Sequence, residues 1–345
     1  MSMGLTVALI GCGAIASKHL DAYVRNDRVD RVFAADPDER AREDIYRRYG
    51  IIKRLAEDWR ELVADDEVDV VDILTPHDSH REIAVAALEA GRHVICEKPI
   101  ARTVAEADEM IAAAERADRR LFVAMSQLNF PAVRRTGELI REGAIGRPLL
   151  AVFTVLDNEV ERMNDPAHWK CDLERAGGGA LIDIGYHTIY IMQDLLGPAA
   201  AVSAVCPRLV IEPENKGEDT AAVALELPGG ALGSIVVTFA NSGTRYQAER
   251  RVVGTEGTLL IRDMPEDEWP LLLMQDDAIS PVPVHNPLDV AGYAIQATLD
   301  EFVEAIVTGG ETRITAAAAR EALVTVEAGY EAARTGRRVA ISRGD

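Results

Sequence analysis

The first 125 residues of this chain alternate between short apolar runs and segments of helical periodicity, and few folds accept that rhythm. Leu5–Ile10 is a short apolar run that ends in glycine, and Ala14–Arg25 reads as a helix. Arg31–Ala35 is a second run, followed by a charged helical segment, Asp38–Tyr49. Val68–Leu74, His93–Cys96 and Leu121–Met125 continue the series. The helices between them start at Ser79 and Thr103, each three residues ahead of a glutamate (Glu82, Glu106) that completes a capping box. Strands without polar alternation are buried on both faces, and helices between them imply right-handed parallel crossovers. The expected product is an α/β, doubly wound parallel sheet with helices on both sides.

After residue 126 the pattern changes. A helix around Pro131–Glu142 leads through Gly143–Gly146 into a strand at Leu149–Leu156. From Ala200 onward strands follow one another directly. Thr220–Leu227 and Ala231–Ala240 flank Pro228-Gly-Gly230, and Gln247–Val253 and Thr258–Arg262 flank Gly254–Gly257. Tight turns between consecutive strands predict an antiparallel sheet, and two helices, Val290–Val307 and Ala316–Thr335, close the chain. We expect two domains: a Rossmann-type domain over 1–125, and an α+β domain over 126–345 with a large, mostly antiparallel sheet and flanking helices. A chain of 345 residues is long enough for two cores.

Between the first strand and the first helix stands Gly11-Cys-Gly13-Ala14-Ile15-Ala16, a G-x-G-x-x-A loop. The first glycine permits a tight turn and the second lets a pyrophosphate approach the backbone. The following helix turns its N–H groups and positive dipole end to the phosphates. Asp36, 25 residues past Gly11, stands at the end of the second strand, where a carboxylate accepts hydrogen bonds from a ribose diol and repels a 2′-phosphate. NAD is therefore expected, with Arg40 and Arg42 leaving NADP open. Asp36 has a plainer reading too, as the start of an Asp-Pro-Asp turn.

Thr75-Pro76-His77 and His80 follow one strand, and Glu97-Lys98-Pro99 the next, at the edge where such sheets bind ligands. These residues are candidates for the cofactor site. Only five lysines occur among the 37 basic residues, so a lysine at a strand end invites a chemical reason. Lysine can be tuned for proton transfer, and arginine cannot. The third cluster is Gly177-Gly-Gly-Ala-Leu-Ile-Asp183-Ile-Gly-Tyr-His187. Its glycines let a backbone come close to something, and Asp183 and His187, four apart, share a face of the expected helix. Oxidation of a secondary alcohol needs a hydride acceptor and removal of the hydroxyl proton. Histidine suits the second task near neutral pH. Lys98 is placed to stabilise developing charge on the reacting oxygen, and Asp183 to orient His187 or to bind a neighbouring hydroxyl. The catalytic residues thus come from both halves of the chain.

Taken together these motifs resemble the Gfo/Idh/MocA oxidoreductase family, which contains glucose–fructose oxidoreductase and inositol dehydrogenases. Gly11–Ala16 is similar to its nucleotide loop, Glu97-Lys98-Pro99 to its lysine motif, Gly177–His187 to its D-x-G-x-H helix, and Trp169-Lys170 to its Trp-Arg pair. The resemblance implies a catalytic set of Lys98, Asp183 and His187 acting on a sugar or polyol. Lys98, Asp183 and His187 are also candidates for substrate binding, together with Trp169, whose ring can stack on a sugar face. Three positions depart from the family pattern: Tyr190 stands where an aspartate is frequent, His77 where asparagine is usual, and Gln127-Leu-Asn-Phe-Pro131 replaces an arginine-rich segment.

Acidic residues outnumber basic ones 57 to 37, for a net charge of −20, which argues against nucleic acid or an anionic membrane as partner. No apolar run approaches the ~18 residues of a membrane span. The four cysteines are scattered without a C-x-x-C pair, and no basic leader precedes the first strand. Reduced thiols in a cytoplasmic protein without a metal site are expected. The leading expectation is an NAD-dependent dehydrogenase for a secondary hydroxyl of a sugar, inositol or related cyclic polyol. The alternatives are a redox-neutral, NAD-dependent glycosidase and a non-catalytic sugar- or NAD-sensing protein. Strands such as Ile235-Val-Val-Thr-Phe239 are apolar on both sides and predict a homodimer or homotetramer. The acidity favours neutral polyols over sugar acids or phosphates, unless a cluster such as Arg245, Arg250 and Arg251 reverses that preference.

Overall fold

The computed structural model describes residues 4–212, 217–241, 246–262 and 268–342. The chain divides into two units. One runs to Ser126 and adds Gly292–Arg320; the other takes Gln127–Ala291 and the chain from Glu321 onward.

In the first unit β1 (Leu5–Ile10), α1 (Ala16–Arg25), β2 (Val29–Ala35), α2 (Glu39–Arg48), β3 (Ile52–Ala56), α3 (Trp59–Val63), β4 (Val70–Ile73), α4 (His80–Glu89), β5 (His93–Cys96), α5 (Val104–Ala117) and β6 (Leu121–Val123) follow in turn. The six strands pair in parallel in the order β3-β2-β1-β4-β5-β6. Val7, Ala8, Leu9, Val70, Val71 and Ile95 are fully buried, as a sheet covered on both faces requires. The order reverses between β1 and β4, so the loops after these two strands diverge at the carboxyl edge and leave a ligand crevice there.

Two local expectations are corrected. A strand (β3) and a short helix (α3) stand between α2 and β4, where the sequence pattern showed neither. β3 escaped the periodicity because it is a solvated edge strand whose Lys53 and Arg54 point outward. Ser79 does not form a capping box with Glu82. A 3₁₀ turn, His77–Ser79, precedes α4, and the Ser79 hydroxyl donates to Thr75 Oγ1 (2.7 Å) and the Pro76 carbonyl (2.9 Å), while Glu82 pairs with Arg60. Thr103 does cap α5, accepting from Glu106 N at 3.2 Å. The Glu106 carboxylate closes on Arg102 instead of on the cap residue.

The second unit contains α6 (Pro131–Arg141), β7 (Pro148–Leu156), α7 (Val160–Asn164), α8 (Leu173–Ala176), a π-helical turn at Leu181–Gly185 and α9 (Tyr186–Leu196). The strands β8 (Ala201–Val205), β9 (Thr220–Glu226), β10 (Leu232–Thr238), β11 (Gln247–Gly254), β12 (Thr258–Arg262), β13 (Leu271–Gln275) and β14 (Ala278–Pro281) come next. Two long helices, α10 (Val290–Thr308) and α11 (Ala316–Thr335), and a terminal strand β15 (Val339–Ala340) complete the chain. The nine strands pair as β14-β13-β12-β11-β7-β10-β9-β8-β15. Every pairing is antiparallel except β7 with β10. Both expected hairpins are present as β9–β10 and β11–β12.

The inner face of this sheet carries Phe153, Val155, Ile235, Val237 and Val252, all at most 1 % exposed. Arg250 sits among them. The outer face presents Val152, Leu232 and Val236 to solvent. α10 belongs with the first unit, where its Phe302 stacks on Phe122 of β6, ring centroids 4.6 Å apart. No described helix is long and apolar enough to cross a membrane.

Candidate active site

The nucleotide loop is built from β1 and α1. Gly11 adopts φ +99°, and a side chain there would also press on the Leu74 carbonyl 2.8 Å away, so only glycine makes this turn at low cost. Nothing lies within 4 Å of where a Cβ of Gly13 would stand, which leaves room against the backbone. Ala14 and Ile15 lead into α1, and its start has no side-chain cap. Asp36 accepts from Cys12 N (2.7 Å) through one carboxylate oxygen and from Asp38 N (2.8 Å) through the other. Asp38, not Asp36, caps α2. Asp36 therefore ties the end of β2 to the loop and keeps spare lone pairs there. Arg42 donates to the Asp36 carbonyl. Burial, then Asp36, push the Cys12 thiol up to about 12, so it is no nucleophile. The open ground beside Gly13, the uncapped helix start and the carboxylate at β2 fit a dinucleotide.

The candidate residues after β4 and β5 separate into two groups. Thr75, Pro76 and His77 form the turn after β4, and Lys98 follows Glu97 at the end of β5, where the Lys98–Pro99 peptide is cis. His80 is fully buried, with its ring nitrogens 3.0 Å from the Pro99 carbonyl and 2.9 Å from the Thr75 carbonyl. It staples the two turns together, and burial lowers its pKa. Its ring thus holds a scaffold position beside the expected cofactor turn. Glu97 likewise turns inward. One oxygen meets His19 Nε2 at 3.2 Å and the other accepts from Lys98 N at 3.1 Å.

Beneath this loop lies a cluster that sequence reasoning missed. His19 of α1 reaches Asp72 of β4 (Nδ1 to Oδ2, 2.8 Å) as well as Glu97, and the Tyr23 hydroxyl donates to the same Asp72 oxygen at 2.7 Å. Burial alone would lower the His19 pKa, but Asp72 and then Glu97 outweigh it and bring it up to about 10. Burial would raise the Glu97 carboxyl, yet His19, with Lys98 behind it, holds it below the usual range. The available signal was Asp72 itself, a carboxylate inside the apolar run Val70-Val71-Asp72-Ile73 that burial obliges to find a partner.

In the second unit the glycine run proves to serve the protein's own packing. Gly179 N and Leu181 N donate to the Glu218 carboxylate at 3.0 and 2.8 Å, and the Tyr330 hydroxyl donates to it at 2.9 Å. Burial raises the Glu218 pKa against these hydrogen bonds. The run opens into the π-helical turn that carries Asp183, and α9, carrying His187, follows. The i, i+4 spacing assumed a continuous α-helix. Here a π turn runs directly into α9, and each residue has its own anchor. Lys170 Nζ lies 2.6 Å from Asp183 Oδ2 and 3.3 Å from Glu159 Oε2. Burial would lower the Lys170 pKa, but Asp183 and Glu159 raise it above the ordinary value. Asp157 is pushed up by burial and by the carboxylates of Glu159 and Asp183. Trp169 has its ring centroid 5.9 Å from Lys170 Nζ. His187 is anchored by Tyr190, with Nδ1 and the phenol oxygen 2.6 Å apart. Of the arginine cluster, Arg245 lies outside the described residues, Arg250 is fully buried and Arg251 pairs with Glu249. Among the described residues no group of His, Cys, Asp and Glu is arranged to hold a metal ion.

Comparison with known proteins gives these arrangements a family. Residues 5–125 match the model of the Gfo/Idh/MocA oxidoreductases, NAD-binding Rossmann fold, and residues 133–260 match that family's C-terminal domain. The chain belongs to the Gfo/Idh/MocA family. It is 33% identical to the levoglucosan dehydrogenase of Pseudarthrobacter phenanthrenivorans over 304 residues, 79% of this chain and 77% of that one. It is 29% identical to the D-apiose dehydrogenase of Paraburkholderia graminis, over 96% of this chain and 88% of the relative. A solved levoglucosan dehydrogenase in complex with NADH and levoglucosan superposes with a TM-score of 0.89 at 28% identity, covering 99% of this chain and 100% of the other. Like the family, the chain is an oxidoreductase with an NAD-binding Rossmann domain and a second domain dominated by a mostly antiparallel sheet.

Proposed function

We propose that this chain oxidises a secondary hydroxyl of a neutral sugar or cyclic polyol, with Lys98, Asp183 and His187 as its catalytic residues. The supporting observation is the separate anchoring of the two acid–base groups: Asp183 against the partly buried Lys170 ammonium, and His187 through Nδ1 on Tyr190. A carboxylate beside a cation stays ionised and accepts hydrogen bonds from hydroxyls. An imidazole whose Nδ1 is committed serves the substrate through Nε2. Bound NAD supplies the hydride acceptor. His187 takes the hydroxyl proton at Nε2, Lys98 donates a hydrogen bond to the reacting oxygen, and Asp183 accepts from a neighbouring hydroxyl. Asp36, with both oxygens already receiving backbone N–H groups at the loop, favours NAD over NADP.

The substrate class rests on the named activities of the levoglucosan and apiose dehydrogenases and on the net charge of −20, which disfavours anionic sugars. We extend the proposal to a homo-oligomer formed through the outer face of the nine-stranded sheet, and to the cytoplasmic location expected from the scattered cysteines.

The test is NADH absorbance across a panel of sugars and polyols that includes levoglucosan and D-apiose. Turnover is expected with at least one neutral compound, and Lys98→Met or His187→Ala is expected to cut kcat by about 10²–10⁴-fold. Full turnover in either variant would remove that residue from the mechanism. Sugar release from glycosides without NADH would point to the redox-neutral hydrolase, and binding without turnover to a sensor.

A further inference from the structure

Tyr190 is almost fully buried, 2 % exposed, one turn along α9 from His187. Its oxygen is 2.6 Å from His187 Nδ1, and the two rings meet edge to face at 5.4 Å and 68°. The same oxygen accepts the backbone N–H of Gln127 at 3.3 Å. An amide N–H can only donate, so one lone pair of the phenol is fixed, and the ring is further held by Tyr186 edge-on at 5.7 Å. Behind them Arg250 stands on the inner face of the sheet with no exposed surface, its Nη2 donating to Gln127 Oε1 at 3.0 Å. Burial holds the Arg250 pKa below its ordinary value, with Tyr246 and then Tyr190 acting against that shift.

We propose that Tyr190, backed by the buried Arg250, is the positioning residue that holds His187 with Nδ1 as donor and Nε2 as proton acceptor, and that this neutral partner keeps the imidazole uncharged at neutral pH. A carboxylate at the same place would hold the ring equally well but would stabilise the imidazolium. A phenol with a guanidinium behind it does not. Other charged or titratable groups of this region are Lys170 against Asp183 with Glu159 beside it, Asp157 near the same two carboxylates, Tyr186 edge-on to Tyr190, and Tyr246 against Arg250. Of the elements packed on α9, the π turn carries Asp183, while α6, β7 and β10 bury uncharged side chains such as Thr136, Phe153 and Val237. The inference rests on the reading of His187 as the group that takes the substrate's proton, and its test separates the two.

The measurement is an NMR titration of the His187 ring in the full-length protein, assigned by comparison with His187→Ala, together with the ring's tautomer from its nitrogen shifts. Wild type is expected in the Nδ1–H form when neutral. Tyr190→Asp is expected to raise the protonation midpoint by at least one pH unit, a tenfold change in the protonation equilibrium, while keeping that tautomer. Tyr190→Phe, which keeps the ring and its packing, is expected to lose the fixed tautomer. Once a substrate is known, it should also lower kcat about tenfold or more with KM little changed. Arg250→Gln is expected to raise the midpoint by less than Tyr190→Asp, and the Tyr190 variants decide the matter if the arginine variant does not fold. An unmoved midpoint in Tyr190→Asp, or a wild-type tautomer in Tyr190→Phe, overturns the proposal even if His187→Ala is inactive. If His187→Ala keeps its turnover, both this inference and the catalytic reading fall.

Discussion

At His19 one imidazole without exposed surface bridges two carboxylates, Asp72 and Glu97, and the second of these binds the backbone of Lys98. Replacing it with asparagine leaves two carboxylates facing each other inside the first unit, which is expected to cost about 3–5 kcal/mol in denaturant melts. The pH dependence has a definite sign. The folded value of about 10 lies above the 6.5 of the free side chain, so this stabilisation is complete below pH 6.5 and is lost as pH rises toward 10. Wild type should therefore lose midpoint in urea between pH 7 and 10, and His19→Asn should lose most of that slope. Equal slopes would mean that the ring is neutral in the folded protein. In the second unit Lys170 plays a comparable part for Asp183. Lys170→Met keeps much of the side-chain volume against Trp169 and Phe239 but removes the charge. It is expected to raise KM for the sugar about tenfold or more, with cofactor affinity unchanged. An unaltered KM would show that Asp183 needs no counter-charge.

The element that most needs its neighbours is the π-helical turn at Leu181–Gly185. A π turn is intrinsically poor and survives where surrounding contacts hold it, frequently at functional sites. Here the contacts are Glu218, through Gly179 N and Leu181 N, and the Tyr330 hydroxyl, which accepts from Gly179 N and Ile182 N at 3.3 Å each. A Cβ on Gly179 would fall inside the Glu218 backbone. Gly179→Ala is expected to destabilise the second unit by at least ~3 kcal/mol and to abolish activity together with it. Tyr330→Phe, which removes one buried hydroxyl, should cost about 1–3 kcal/mol. If Gly179→Ala melts like wild type, the close approach is not required. The glycine run was legible as a place where backbone must come near something. That the something is Glu218, 39 residues on, was not, because a local pattern carries no record of its distant partner.

For the whole molecule the relevant surface is the outer face of the nine-stranded sheet, where Leu232, Val152 and Val236 are 55, 37 and 38 % exposed. Open sheet faces with apolar side chains are stable when another surface covers them. Light scattering at micromolar concentration is expected to give a dimer or tetramer, and Val236→Lys to shift it toward monomer without unfolding either unit. A wild-type monomer would refute the oligomer.

The sequence by itself determined the parallel sheet and its order of helices, the G-x-G loop with Asp36, the antiparallel character of the second half and the identity of Lys98, Asp183 and His187 as candidates. All of these depend on periodicity, on turn chemistry or on residues close together in the chain. Tertiary structure alone decided that His80 and Glu97 face inward, that β3 forms an edge, that Asp183 lies on a π turn against Lys170, and that Tyr190 anchors His187 with Arg250 behind it. Tyr190 was visible as a departure from a family pattern and Lys170 as half of a matching pair, yet their partners were not. A buried polar group must be satisfied, but which of many distant groups satisfies it depends on how the elements pack, and that is set by the apolar surfaces of the whole unit rather than by any local stretch of sequence.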